Sequence, residues 1–147
     1  MTLKLNKQDW FKIAIEQEYI KLFDYSFFEN PRIIGKGGFG SVYIAYSKHS
    51  GNFVALKCLH NNISDKEDMI NAFIREVKTI SKVNFHDNIV RFFGITQDPK
   101  DETYYMVLQF ANNGNLRDYL QKNFSKLDWL TKVRMAEVGC MKWSLVK

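Results

Sequence analysis

Apolar residues in the first stretch of the chain return at the spacing of a helix, and those in the middle cluster in short runs as strands do. From Lys7 to about Phe23, Trp10, Ile13, Ala14 and Ile20 recur near the helical period, which predicts an amphipathic helix with Asn6 as its cap. Its polar side carries both signs of charge, so its apolar face is expected to pack on the domain that follows and not to lie on a membrane. Between about Phe27 and Ala111 come short β-rich runs and one well-marked helix. SVYIAY, the turn SKHSGN and the run FVALKCL read as a hairpin. The helix opens with Ser64 and Glu67 in capping-box spacing, presents Met69, Phe73, Val77 and Ile80 on one face, and continues to about Val83. From Asn112 onward the pattern turns helical again. The expected organisation is a helical extension over 1–26, an α+β domain over 27–111 and a helical part over 112–147.

At the start of that hairpin stand Gly35, Gly37 and Gly40, spaced G-x-G-x-x-G. The spacing alone is shared by dinucleotide folds, kinases and chance turns, so context decides. In a dinucleotide fold the third glycine opens a helix whose N-terminus faces the pyrophosphate. Here Gly40 is followed by strand-forming residues, and strands flank the glycines on both sides. The physical use is the same: residues without a Cβ let backbone N–H groups come close to phosphate oxygens. A Walker-A loop is excluded, because Ser41 stands after Gly40 where that motif requires lysine.

A charge pair is expected next to this loop. Lys57 lies between Leu56 and Cys58 in a run so apolar that an unpaired ammonium would be costly. Glu76 falls on the apolar stripe of the following helix, and its helical neighbours Ala72, Phe73, Thr79 and Ile80 offer it no local cation. Each needs a distant partner. If they pair with one another, the lysine keeps protons for a phosphate.

Composition narrows the classes. The chain has 147 residues, 46% of them hydrophobic, which suits a single globular piece. Its 21 Lys and Arg exceed 16 Asp and Glu, but the excess is scattered, which argues for a solvated surface and against a nucleic-acid partner. Cys58 and Cys140 are far apart and in no metal-ligand spacing, and no signal-like stretch begins the sequence, so a reducing, cytoplasmic setting is expected. No apolar run approaches the ~20 residues that cross a bilayer, and no membrane partner is expected.

With these residues in view, the stretch from about Phe27 to Ala136 resembles the N-terminal lobe of a protein kinase with its hinge and the start of the C-terminal lobe. The likeness rests on G-x-G-x-x-G-x-V from Gly35 to Val42, V-A-x-K from Val54 to Lys57, and the glutamate of FIREV at Glu76. HDNIVRFFG (His86 to Gly94) and YYMVLQFANNGNLRDYL (Tyr104 to Leu120) agree with it, with Asp87 where many kinases have proline. NNGNLRDYL followed by LDW resembles the tyrosine-kinase-like serine/threonine kinases. The resemblance implies a five-stranded antiparallel sheet with one helix, and an ATP site made by Ile34, Gly35, Lys36, Gly37, Gly38, Phe39, Gly40, Ser41 and Val42 together with Ala55, Lys57, Glu76, Leu108, Gln109, Ala111 and Asn115. In that site the glycine loop covers the phosphates, Lys57 holds the α and β phosphates and Glu76 orients Lys57. Val42 and Ala55 form a ceiling over adenine, with Leu108 as gatekeeper. Gln109 and Ala111 offer hinge backbone, and Asn115 stands where ribose is often met. ATP with Mg2+ would be the cofactors, and a protein substrate or regulatory protein the partner.

Other family elements are missing from these letters. His49, His60 and His86 are the histidines, and none precedes Arg-Asp; Asp101, Asp118 and Asp128 are followed by Glu, Tyr and Trp, so there is no Asp-Phe-Gly either. The catalytic aspartate and the magnesium ligands are therefore absent from the 147 residues, and the likeness dissolves after about Ala136. The expectation is a kinase cut short by a truncated or misread frame. A pseudokinase-like ATP-binding or interaction module and a bare nucleotide-binding domain remain as alternatives.

Overall fold

The structure, a computed structural model, describes residues 7–38, 40–59, 66–85, 89–112 and 116–142. Asn6 and Ser64, expected as caps, and Phe39 and Asn115, expected at the nucleotide, lie outside the described residues. In chain order the elements are α1 (Lys7–Glu16), β1 (Leu22–Phe23), a 3-10 turn (Tyr25–Phe27), β2 (Phe28–Lys36), β3 (Gly40–Ser47), β4 (Asn52–Leu59), α2 (Lys66–Val83), β5 (Phe92–Gln97), β6 (Tyr104–Gln109), α3 (Leu116–Asn123), a second 3-10 turn (Phe124–Lys126) and α4 (Trp129–Lys142). No helix among the described residues is long and apolar enough to cross a membrane.

The strands form one sheet in the order β1-β5-β6-β4-β3-β2. Five of them, β2, β3, β4, β6 and β5, pair antiparallel, as the resemblance to protein kinases implies. A sixth, β1, is added in parallel at the β5 edge, with Leu22 opposite Ile95 and Phe23 opposite Thr96. It comes from residues read as the end of the first helix. That helix stops at Glu16 because two attractions oppose its continuation. Glu18 takes a left-handed φ of 56° and Ile20 donates back to the carbonyl of Ala14, which swings Ile20 into the core. The unpaired edge of β5 then captures the chain: Ile95 donates its N–H to Lys21 at 2.9 Å, and Thr96 Oγ1 donates to the Phe23 carbonyl at 2.9 Å. Gly94, at φ +152° and at a register shift, permits this approach, since a Cβ there would run into the Lys21 carbonyl.

Alternation along the strands divides the apolar residues between two faces. On one face Ala55, Phe92, Ile95, Met106 and Leu108 meet Phe73, Ile74, Val77 and Ile80 of α2 and Phe11, Ala14 and Ile20 from the N-terminal segment in one core. On the other, Phe28, Ala45, Val54, Leu56 and Val107 form a smaller cluster with Phe23, Tyr43 and Tyr105. The N-terminal segment therefore shares the main core of the lobe. Its buried stripe centres on Phe11 and Ala14, with Trp10, Ile13 and Ile15 only half-buried beside them.

Candidate functional site

β3 and β4 carry the site because their register is unbroken from Gly40 opposite Leu59 to Ser47 opposite Asn52. That register sets Val42 opposite Lys57 and Ile44 opposite Ala55, while β6 places Met106 opposite Lys57 and Leu108 opposite Ala55. Directly opposed residues share a face, so Val42, Ala55, Lys57 and Leu108 all point toward the α2 side. Ala55 and Leu108 are buried and Val42 packs against the same core, which makes an apolar surface beside the lysine.

Lys57 meets Glu76 there. Its Nζ donates to Glu76 Oε1 at 2.5 Å, across from strand to helix, with the lysine side chain 14% and the glutamate 31% exposed. A partly buried, charge-assisted hydrogen bond of this kind contributes roughly 1–3 kcal/mol. Burying each of Phe73, Ile74, Val77 and Ile80 contributes roughly 1.5–3 kcal/mol. Packing therefore decides where α2 lies, and the pair reports that position.

Further contacts hold α2 in place. Asn84, just past the helix, uses its side chain as a short strand: Nδ2 donates to the Phe92 carbonyl at 2.8 Å and Oδ1 accepts from the Phe92 N–H at 2.7 Å. Phe11 sets its ring edge-on to Phe73 and Tyr104, and Lys78 lies over the Trp10 ring. Reading the sequence missed Phe11 and Asn84 as positioning groups. Phe11, Ala14 and Ile15 do stand at i, i+3 and i+4, a signal that could have found the first of them.

The glycine loop divides into two kinds of position. Gly40 is required by the sheet itself, because a Cβ there would collide with the Cys58 carbonyl of β4. Gly35 and Gly38 have nothing within 4 Å of a built Cβ, so nothing described in the fold demands glycine at either. What their bareness leaves is open room above the backbone. The loop closes through the Gly37 N–H, which donates to the Gly40 carbonyl at 2.9 Å.

The remaining predicted residues scatter around this centre. Ile34 and Lys36 are exposed at the end of β2. Ser41 is 2% exposed and alternates with Val42, so its side chain points to the sheet face opposite Lys57. Gln109 lies at the end of β6, where its N–H donates to Arg91 at 2.8 Å and its Oε1 accepts from the Arg91 N–H at 3.3 Å. Ala111 follows in the exposed connection to α3. Cys58, next to Lys57 in sequence, faces away from it, and burial pushes its thiol above the ordinary value, so it is held protonated and unreactive.

Comparison with known proteins agrees with this geometry. The family model described as the protein kinase domain matches residues 28–140. The chain is 37% identical over 106 residues to Aurora kinase of Schizosaccharomyces pombe, which covers 71% of this chain and 29% of that protein. It is 36% identical over 99 residues to the serine/threonine-protein kinase PLK4 of Aedes aegypti, 67% of this chain and 12% of that one. A probable serine/threonine-protein kinase of Arabidopsis thaliana, PBL28, is 34% identical over 112 residues, 76% of this chain and 29% of the relative. The chain thus spans less than a third of the length of each of these relatives. With its glycine loop, its strand lysine and its helix glutamate placed together on one face of an antiparallel sheet, and a family match over most of its length, the chain belongs to the protein kinase family.

Proposed function

We propose that this chain is the nucleotide-binding lobe of a protein kinase, and that the whole protein transfers the γ-phosphoryl group of ATP to a serine or threonine hydroxyl of another protein. The observation that carries the reading is the Lys57–Glu76 pair, set beside an apolar face at the root of a glycine loop with open space over Gly35 and Gly38. These residues fit ATP. Glu76 takes one of the three ammonium protons, which fixes the lysine and leaves the others for the α and β phosphates. The loop from Gly35 to Gly40 offers backbone N–H groups to the phosphates. Val42 and Ala55 suit the face of adenine, with Leu108 behind it. Because the Gln109 N–H is committed to Arg91, the adenine edge is left to the Gln109 carbonyl and to Ala111.

Magnesium does not fit in the same way. Among the described residues no three of His, Cys, Asp and Glu gather where a metal could be held, and the Glu76 carboxylate is engaged by Lys57. Within these 147 residues the chemistry extends to binding and orienting nucleotide. We also propose an intracellular setting, which the free, buried thiol of Cys58 supports.

A second reading is a pseudokinase-like module that binds nucleotide or a protein partner without turnover. Titration with ATP, followed by amide shifts, tests the first. Binding is expected with Kd in roughly the high micromolar to millimolar range. Shifts should centre on Gly35 to Val42, Lys57 and Ala111, and Lys57→Ala should weaken binding severalfold. Binding that is indifferent to Lys57, or centred elsewhere, overturns it. No transfer of radiolabelled phosphate is expected from the 147 residues alone; transfer that is lost in Lys57→Ala would exclude the second reading and also overturn the limit to binding stated above.

A further inference from the structure

We propose that α1 is a clamp on α2, and that Phe11 is a positioning residue that keeps Glu76 against Lys57 and so governs how tightly nucleotide phosphates are held. The inference rests on the nucleotide reading above. Phe11 is 6% exposed, and its ring stands edge-on to Phe73 (centroids 6.2 Å apart, 88°) and to Tyr104 (5.5 Å, 83°), while Phe73 and Tyr104 are themselves 5.7 Å apart. Three rings, one each from α1, α2 and β6, therefore meet at one junction. Phe73 lies one helical turn before Glu76. On the other side of Glu76, Lys78 sets its ammonium 4.1 Å from the centroid of Trp10. The N-terminal helix thus grips α2 both before and after the glutamate.

A grip matters only if the far end of α1 is fixed, and it is. Ile20 is buried in the common core, the Lys21 carbonyl accepts from Ile95, and β1 is paired into the sheet over Gly94. The segment is a strap, hydrogen-bonded to the sheet at one end and laid over α2 at the other. Against this, Glu76 is held to Lys57 by one ion pair that water reaches on the glutamate side. The packing of Phe73, Ile74, Val77 and Ile80 outweighs one such pair, so its population follows the helix. Loosening the strap lets α2 roll outward, Glu76 leaves Lys57, and the lysine loses the orientation that phosphate binding needs.

The test is a double-mutant cycle on the full chain, with ATP as the probe. A second readout treats the native residues with a water-soluble carbodiimide, which joins a carboxylate to an amine in contact with it, and quantifies the Lys57–Glu76 link by mass spectrometry. Phe11→Ala is expected to weaken ATP binding roughly three- to tenfold and to lower the link yield by a similar factor. In a Lys57→Ala background the same substitution should change ATP affinity less than about twofold, because the pair it acts through is gone. Equal weakening in both backgrounds, or an unchanged link yield, overturns the proposal. Should Lys57→Ala alone leave ATP binding intact, the nucleotide reading fails, and the link yield still decides whether the clamp exists. Trp10→Ala removes a half-buried ring and spares the core, so it serves if Phe11→Ala does not fold. It should lower the link yield in the same direction by a smaller factor, and no change there overturns the clamp.

Discussion

Helices α2 and α4 are both apolar at helical spacing, and they meet opposite fates. α2 buries Phe73, Ile74, Val77 and Ile80 to 4% exposure or less, whereas α4 leaves Trp129 80% and Leu130 56% exposed, with Phe124 at 57% just before it. The former lies on Ile95 and Met106 of the sheet and under α1. Beyond Ala111, no described side chain is buried. What holds the start of α4 is local: Asp128 caps it by accepting from the Thr131 N–H at 2.8 Å, and Lys132 lies 3.8 Å from the Phe124 ring centroid. An amphipathic pattern says that a helix has a face to cover, and the tertiary contacts say whether it is covered.

The largest effect that can break this comparison is a charge in each stripe. Val77→Asp places a carboxylate at a fully buried site and should cost more than about 4 kcal/mol, enough that urea unfolding finds no folded baseline. Leu130→Asp should shift the same unfolding curve by no more than about 0.5 kcal/mol and reduce any self-association seen by sedimentation. Similar losses at the two positions would mean that α4 is packed after all.

At a smaller scale the covered and uncovered positions of the glycine loop repeat the contrast. Gly40→Ala drives a methyl group into the Cys58 carbonyl and should destabilise the lobe by roughly 1–3 kcal/mol. Gly38→Ala meets open space, so its thermal stability should stay within about 0.5 kcal/mol while ATP binding weakens. The reverse order would place the ligand-facing side of the loop elsewhere.

The smallest effect sharpens the local side of the comparison. Hydrogen bonds from Thr131 hold the Asp128 carboxyl below its ordinary value of 3.8. A group whose pKa falls on folding contributes above its unfolded value and loses that contribution as pH drops through the folded one. The N-terminal turn of α4 should thus be intact at neutral pH and fray in acid below about the ordinary carboxylate value. Hydrogen exchange at Thr131 and Lys132 would show it. Asp128→Asn keeps an acceptor and should remove the acid dependence, with protection in α2 unchanged.

Much of the site was legible before the fold was seen. Lys57 and Glu76 could be matched because each was a charge stranded on an apolar stripe with no local partner, and such charges must find one another. The hairpin was legible for a similar reason, since Val, Ile and Tyr flank a turn with Gly51 at its close. The end of α1 was not. Lys21 to Phe23 continue a helical pattern, and only the unpaired edge of β5, some seventy residues on, draws them into a strand. Asn84 is another case, because a lone asparagine after a helix says nothing of the Phe92 backbone it will bridge. Ser41 was grouped with the loop by its place in the motif, but the two-residue period of β3 turns its side chain to the far face. Local pattern reaches what a residue needs, and long-range topology decides where it is met.

Whether Lys57 is the lysine beside bound phosphates can be asked directly. An ATP derivative carrying a reactive acyl group on its terminal phosphate acylates an amine next to the phosphate chain, and the modified residue is read by mass spectrometry. Lys57 is expected as the principal site, with labelling suppressed by excess ATP and diminished in Phe11→Ala. Labelling spread over exposed lysines such as Lys36 and Lys48, without protection by ATP, would contradict it.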